Sequence, residues 1–278
     1  LAILMLFPAL SPPVRAQGAE LTPVDVAGSA RPGGAGETHR VLLDNYYNSE
    51  WRTDSSGMRV RYHYVWHDTT NSGFSILGGI IRGLGASIDT LCRRPDAGNL
   101  KKADVYIIVD PDTPQETEHP SAMDSTAADA VAKWVRQGGA LVLLGNDRGN
   151  ADLQTLSALG SRFGITFNED SRNRVIGKAF QMGAFDSLPS HPMFSGVKKV
   201  YLKELSTLAL VPPAQPLFSD SGHVVIATAR WGDGLVFAVG DPWFYDEYMD
   251  TRRLPADYDN AKAAENLFRW LLQKQWKR

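Results

Sequence analysis

Beyond residue 38 the hydrophobic positions fall into two alternating patterns. Four runs are apolar at nearly every position: Arg40-Val41-Leu42-Leu43 into Asp44, Val105-Tyr106-Ile107-Ile108-Val109 into Asp110, Ala140-Leu141-Val142-Leu143-Leu144 into Gly145-Asn146-Asp147, and Leu235-Val236-Phe237-Ala238-Val239 into Gly240-Asp241. A strand carries such a continuous pattern when helices cover both of its faces. Between the runs, residues 74–84, 121–137, 151–163 and 260–275 read as helices, and Gly138-Gly139 and Gly164 stand where two of them stop. Strands alternating with helices predict an α/β domain with a mainly parallel sheet. The helical period disappears from Phe180 to Thr228, where extended segments at 200–205, 208–211 and 224–228 are separated by prolines and by Ser221-Gly222. This stretch, near residues 180–228, reads as antiparallel strands extending the edge of the same sheet.

The first 38 residues follow neither pattern. The apolar run 1–10 is followed by Val14-Arg15-Ala16, with small or apolar residues where a signal peptidase cuts. The expectation is a truncated signal peptide over residues 1–16 and a flexible leader, rich in Gly, Pro and Ala, over residues 17–38. A single domain then fills residues 39–278. The apolar run is shorter than the roughly 20 residues that cross a bilayer, so a periplasmic or extracellular chain with no span after signal removal is expected.

Charge and cysteine content narrow the chemistry. With 29 Lys+Arg against 31 Asp+Glu there is no basic excess, and no nucleic-acid partner is expected. The one cysteine, Cys92, excludes an internal disulfide and a multi-cysteine zinc site. No cofactor and no metal are expected. The run Leu77-Gly78-Gly79-Ile80-Ile81-Arg82-Gly83 is too apolar for a phosphate loop, no EF-hand spacing occurs, and no GxSxG nucleophile elbow is present. His63 and His67 would share a face only on a strand; they read as an ordinary solvated or cross-strand pair, with zinc binding the alternative if a carboxylate joins them.

All four buried runs end in polar residues, and in an open parallel sheet the carboxyl ends of the strands form the edge where ligands bind. Asp44, Asp147 and Asp241 are the candidate inner carboxylates, with Glu169, Asp170, Glu204 and Glu247 outside them. Asn45, Asn146, Asn150, Arg172 and Asn173 are candidates for orienting a ligand, and Tyr46, Tyr47, Trp243 and Tyr245 for stacking against it. Aromatic faces beside amides and carboxylates suit a sugar, and an arginine pairs with a uronate carboxylate in two-pronged fashion. Taken singly, each strand-end Asp or Asn also fits turn and N-cap chemistry. The last helix has Ala264, Leu267, Phe268, Leu271 and Leu272 at helical spacing and reads as a core-covering helix, with an oligomer surface at Trp270 and Trp276 as the alternative.

The phrases Leu43-Asp44-Asn45-Tyr46-Tyr47-Asn48, Val105 to Thr113, Gly145-Asn146-Asp147, Phe167 to Asn173 and Val239 to Tyr245 resemble a bacterial domain often fused behind unsaturated rhamnogalacturonyl hydrolases. The resemblance covers about residues 38–275. It implies a flavodoxin-like three-layer sandwich of the class I glutamine amidotransferase type, shared with trehalose-utilisation-type proteins and β-galactosidase trimerisation domains. The turn matching the amidotransferase nucleophile is Gly145-Asn146-Asp147-Arg148-Gly149, which lacks cysteine. The resemblance further implies a setting of uronate- and rhamnose-containing polysaccharides and supplies no mechanism. Two functions stay open: an accessory module that binds oligosaccharide or polysaccharide beside a glycoside hydrolase partner, and a glycoside-cleaving enzyme using paired carboxylates at the same edge.

Overall fold

The computed structural model describes residues 39–242 and 247–277. The readings made for residues 1–38, the candidates Trp243 and Tyr245, and the side chain of Glu247 lie outside the described residues. The strands are β1 (Arg40–Asp44), β2 (Trp51–Thr53), β3 (Arg59–Arg61), β4 (Ser87–Leu91), β5 (Val105–Val109), β6 (Ala140–Leu144), β7 (Ile165–Phe167), β8 (Ala184–Phe185), β9 (Val200–Tyr201), β10 (Leu208–Leu210), β11 (Ala214–Asp220), β12 (His223–Trp231) and β13 (Gly234–Val239). The helices are α1 (Ser75–Gly83), α2 (Ala97–Leu100), α3 (Ser125–Arg136), α4 (Leu153–Gly160) and α5 (Asn260–Leu272).

Nine strands form one sheet in the order β4-β1-β5-β6-β13-β12-β10-β7, with β11 paired to β12. From β4 to β13 every pairing is parallel; beyond β13 every pairing is antiparallel. This is the expected α/β, flavodoxin-like arrangement with its antiparallel extension. Within the 180–228 stretch, Val200 does not join that extension. It pairs with Phe185 in the separate β8–β9 ribbon, which Asn260 pins to α5 by accepting from the Tyr201 amide and donating to its carbonyl. The edge strand β4 (Ser-Ile-Asp-Thr-Leu) has no continuous apolar run because only its last residue is buried.

Alternation along each strand divides the core in two. Val41, Leu43, Ile107, Val142 and Phe237 pack on one face with Leu77 and Ile81 of α1 and with Leu267, Phe268 and Leu271 of α5. Leu42, Tyr106, Leu141 and Val236 pack on the other with Val131 and Val135 of α3 and with Leu156 and Leu159 of α4. Gly138, at a φ of 108°, turns the chain from α3 toward β6, a conformation that a side chain would strain. Trp270 and Trp276 are both nearly buried, and Trp270 packs edge-on against His191 and Trp276.

Candidate functional site

Among the parallel strands the chain steps from β1 outward to β4, then crosses back over β1 to β5 and on to β6 and β13. The loops after β1 and β5 therefore diverge, and the crevice between them is the topological switch point where this fold binds ligands. Register sets how high each polar residue stands. Val109 and Val239 both pair with Leu144, so Asp110, Gly145 and Gly240 leave the sheet at one level. Leu43 pairs with Ile107, which holds Asp44 one residue further, level with Ile108 inside the sheet.

Asp44 is accordingly fully buried. Its Oδ2 accepts from the Tyr106 hydroxyl at 2.5 Å, and its Oδ1 from the amides of Tyr46 at 3.0 Å and Tyr47 at 2.7 Å. Burial outweighs these bonds and pushes its carboxyl up to about 6. Tyr47 is buried with its hydroxyl on the Met123 sulfur, and Asn45 is buried with its side-chain amide on the Asp44 carbonyl. Of this group only Tyr46 is half-exposed.

Beside them the crevice is acidic. The side chain of Asn48 donates to the Asp110 carbonyl at 2.8 Å, and Asp112 accepts from the Ser49 amide at 3.0 Å and the Thr117 hydroxyl at 2.5 Å. Glu50 accepts from Nδ1 of His63, whose ring stacks between Tyr62 and Tyr64. Burial pushes Asp112 up to about 6, and burial together with the charge of Glu116 raises Asp110 well above the usual carboxylate range. Asp110 and His63 both have left-handed backbones, with φ of 43° and 62°. Oδ1 of Asp110 and Oδ1 of Asn48 are buried with no hydrogen-bond partner. Asp110 and Asp112 were visible in the sequence as a strand end but were not among the candidate site residues. Their signal was an Asp-Pro-Asp directly after a five-residue apolar run. Glu50 and His63 join the crevice through tertiary folding, and no short-range pattern marks them.

The loop after β6 forms a second group. Asn146 and Asp147 are buried, and the Asp147 carboxylate accepts from the side chain of Asn150 at 2.6 Å and from the Ser171 hydroxyl. Asp170 turns inward and binds the amide and hydroxyl of Thr207. Glu169 faces outward and accepts from Gln154 at 3.1 Å. Thr113, Gln115, Arg148, Asp152, Gln154 and Glu169 line an open cleft of about 500 Å³. The Asp152 amide donates to the Pro111 carbonyl at 2.8 Å, so this cleft adjoins the switch point.

The remaining candidates take other partners. Asp241 is fully buried and accepts from the Lys203 amide at 2.5 Å. Arg172 pairs with Asp220 at 3.3 Å beside the antiparallel strands. The carbonyl of Asn173 holds the Glu204 amide at 3.1 Å, and the Glu204 side chain meets Lys203. Hollows of similar size also occur around Lys101, Lys133, Trp134 and Lys274, and along β4 beside Cys92. Volume does not choose among them; the position at the carboxyl ends of the strands does. Among the described residues no three His, Cys, Asp or Glu side chains gather so as to hold a metal ion, and no helix is long and apolar enough to cross a membrane.

No family model and no curated protein matches the sequence. Solved structures resemble the fold. The mmIFT52 N-terminal domain is 17% identical with a TM-score of 0.63, over 84% of this chain and 97% of that one. A putative ThuA-like protein from Bacteroides uniformis ATCC 8492 is 11% identical with a TM-score of 0.47, over 88% of this chain and 96% of that one. A cold-adapted β-galactosidase from Rahnella sp. R3 is 13% identical with a TM-score of 0.49, over 87% of this chain but 31% of that one.

Proposed function

We propose that the protein is an accessory carbohydrate-binding module of the periplasm or cell exterior, and that it holds an oligosaccharide in the cleft between residues 113–115 and residues 148–154. The observation that carries this reading is the lining of that cleft. Gln115, Arg148, Gln154 and Glu169 are exposed and offer donors and acceptors of both signs within about 500 Å³, a volume in the usual range for small-molecule sites. No aromatic side chain lines it, so hydroxyl-to-amide and hydroxyl-to-carboxylate bonds would supply the recognition. A uronate carboxylate would pair with the Arg148 guanidinium, and sugar hydroxyls would donate to Glu169. The polysaccharide class, a glycoside hydrolase partner and the export follow the sequence resemblance and the character of residues 1–16.

Binding is favoured over cleavage because Asp44 and Asp241 are fully buried and already accept hydrogen bonds from the protein's own backbone. Glycoside hydrolysis needs two carboxyl groups that reach the scissile bond. The cleavage reading draws on Asp110 and Asp112, whose raised carboxyls could act as acids, yet these are only 2% and 1% exposed. Calorimetric titration with rhamnogalacturonan-derived oligosaccharides, with chromatography of the same mixtures, separates the readings. Heat of binding without product is expected. Product formed by the purified chain and abolished by Asp112→Asn would replace the binding reading with the catalytic one.

A further inference from the structure

The β2–β3 hairpin is a two-stranded ribbon outside the main sheet. It is tied to the strand-end loops where Nη1 of Arg61 donates to the Asn45 carbonyl and to the Ser49 hydroxyl, each at 2.9 Å. Every residue of β2 is exposed. Trp51 is 43% exposed and Met58 63%, two of only five large hydrophobic side chains so exposed among the described residues. The guanidinium of Arg59 lies 5.1 Å and that of Arg61 4.6 Å from the Trp51 ring, and that of Arg52 lies 5.0 Å from the Tyr62 ring. Residues 51–62 thus carry three arginines against one aspartate in a chain of net charge −2. That aspartate, Asp54, is held in the turn by the amides of Ser56 and Met58. Arg52 lies 4.0 Å from the Asp68 carboxylate, whereas among the described residues no carboxylate pairs with Arg59.

We propose that this hairpin is a docking surface for an acidic segment of a partner protein. Trp, Tyr, Met and Arg are the residue types that protein interfaces concentrate, and Trp, Tyr and Arg dominate their binding energy. Stacking on Trp51 and Tyr62 holds the guanidinium planes in place, so less side-chain freedom is lost when a carboxylate arrives. The two-stranded ribbon also leaves main-chain donors and acceptors at its outer edges, which an extended acidic segment can meet by adding a strand. The occupant is therefore an extended peptide with carboxylates at alternate positions, and this surface is separate from the carbohydrate cleft proposed above.

The test is fluorescence polarisation of the full chain with a labelled synthetic peptide alternating Glu with Ile, against a matched peptide alternating Lys with Ile. The Glu peptide is expected to bind, more weakly as salt rises, and the Lys peptide not to bind. Arg59→Ala and Trp51→Ala alter exposed side chains, and each is expected to weaken the Glu peptide at least tenfold while leaving oligosaccharide binding unchanged. Equal binding of the two peptides, or variants indistinguishable from the parent, would overturn the proposal. So would tighter capture of a single-stranded oligonucleotide or of polygalacturonate by the same residues, or binding of the Glu peptide only after residues 1–38 are removed.

Discussion

The two groups at the carboxyl edge of the sheet use similar residues in opposite ways. Around β1 and β5 the acidic side chains turn inward: Asp44, Asp110, Asp112 and Glu50 are buried, and three of them serve loop amides, Tyr106, Thr117 and His63, while Oδ1 of Asp110 has no partner. Around β6 and α4 the inward positions are filled by Asp147 and Asp170, and the next residues along the surface, Arg148 and Glu169, stay open to solvent. A strand-end carboxylate is thus not in itself a ligand group. Its height relative to the rim and the donors already on its oxygens decide whether it holds the loop or is left for a ligand.

That contrast makes the buried side the sensitive one for stability. Asp44→Ala leaves two backbone amides and the Tyr106 hydroxyl without acceptors, and a loss of about 3–5 kcal/mol in urea unfolding is expected. A loss under about 1 kcal/mol would mean that the inner network does not hold the crevice together.

The pH dependence comes next in size. Asp44 and Asp112 have native-state carboxyls pushed up to about 6 from an ordinary 3.8. Each therefore binds its proton more tightly in the folded state, and its contribution is complete below about pH 4 and is lost as pH rises through about 6. Stability should fall over that window by up to about 3 kcal/mol per group. Asp112→Asn should remove its share of the slope, and a slope unchanged by that substitution would contradict the assignment.

Substitutions on the open side should be nearly silent in unfolding. Arg148→Ala and Glu169→Ala are expected to change stability by less than about 0.5 kcal/mol, while each weakens oligosaccharide binding at least tenfold in calorimetry. Variants that unfold easily yet keep full affinity would reverse the comparison.

Much of this division follows from what sequence patterns can and cannot carry. The strands β1, β5, β6 and β13 were legible because both of their faces are buried, and β4 was not because it is an edge with polar residues facing water. The pairing of Val200 with Phe185 was likewise invisible, since short extended segments do not announce their partners. At the site, the strand ends were legible as positions. What each carboxylate does was not, because the height of Asp44 depends on the register of β1 against β5, and the placing of Arg172 against Asp220 depends on how the antiparallel strands fold back. Glu50 and His63 lie thirteen residues apart and meet only because the β2–β3 hairpin brings the chain back to the crevice.

The central claim is that a ligand enters the open cleft and leaves the buried carboxylates untouched. Titrating a uronate-containing oligosaccharide into isotope-labelled protein and following the amide resonances tests it directly. The expected result is that Gln115, Arg148, Gln154 and Glu169 shift together along one saturable curve while Asp44, Asp110 and Asp112 stay in place. Saturable shifts at Asp44, Asp110 and Asp112 with the cleft unmoved would contradict it.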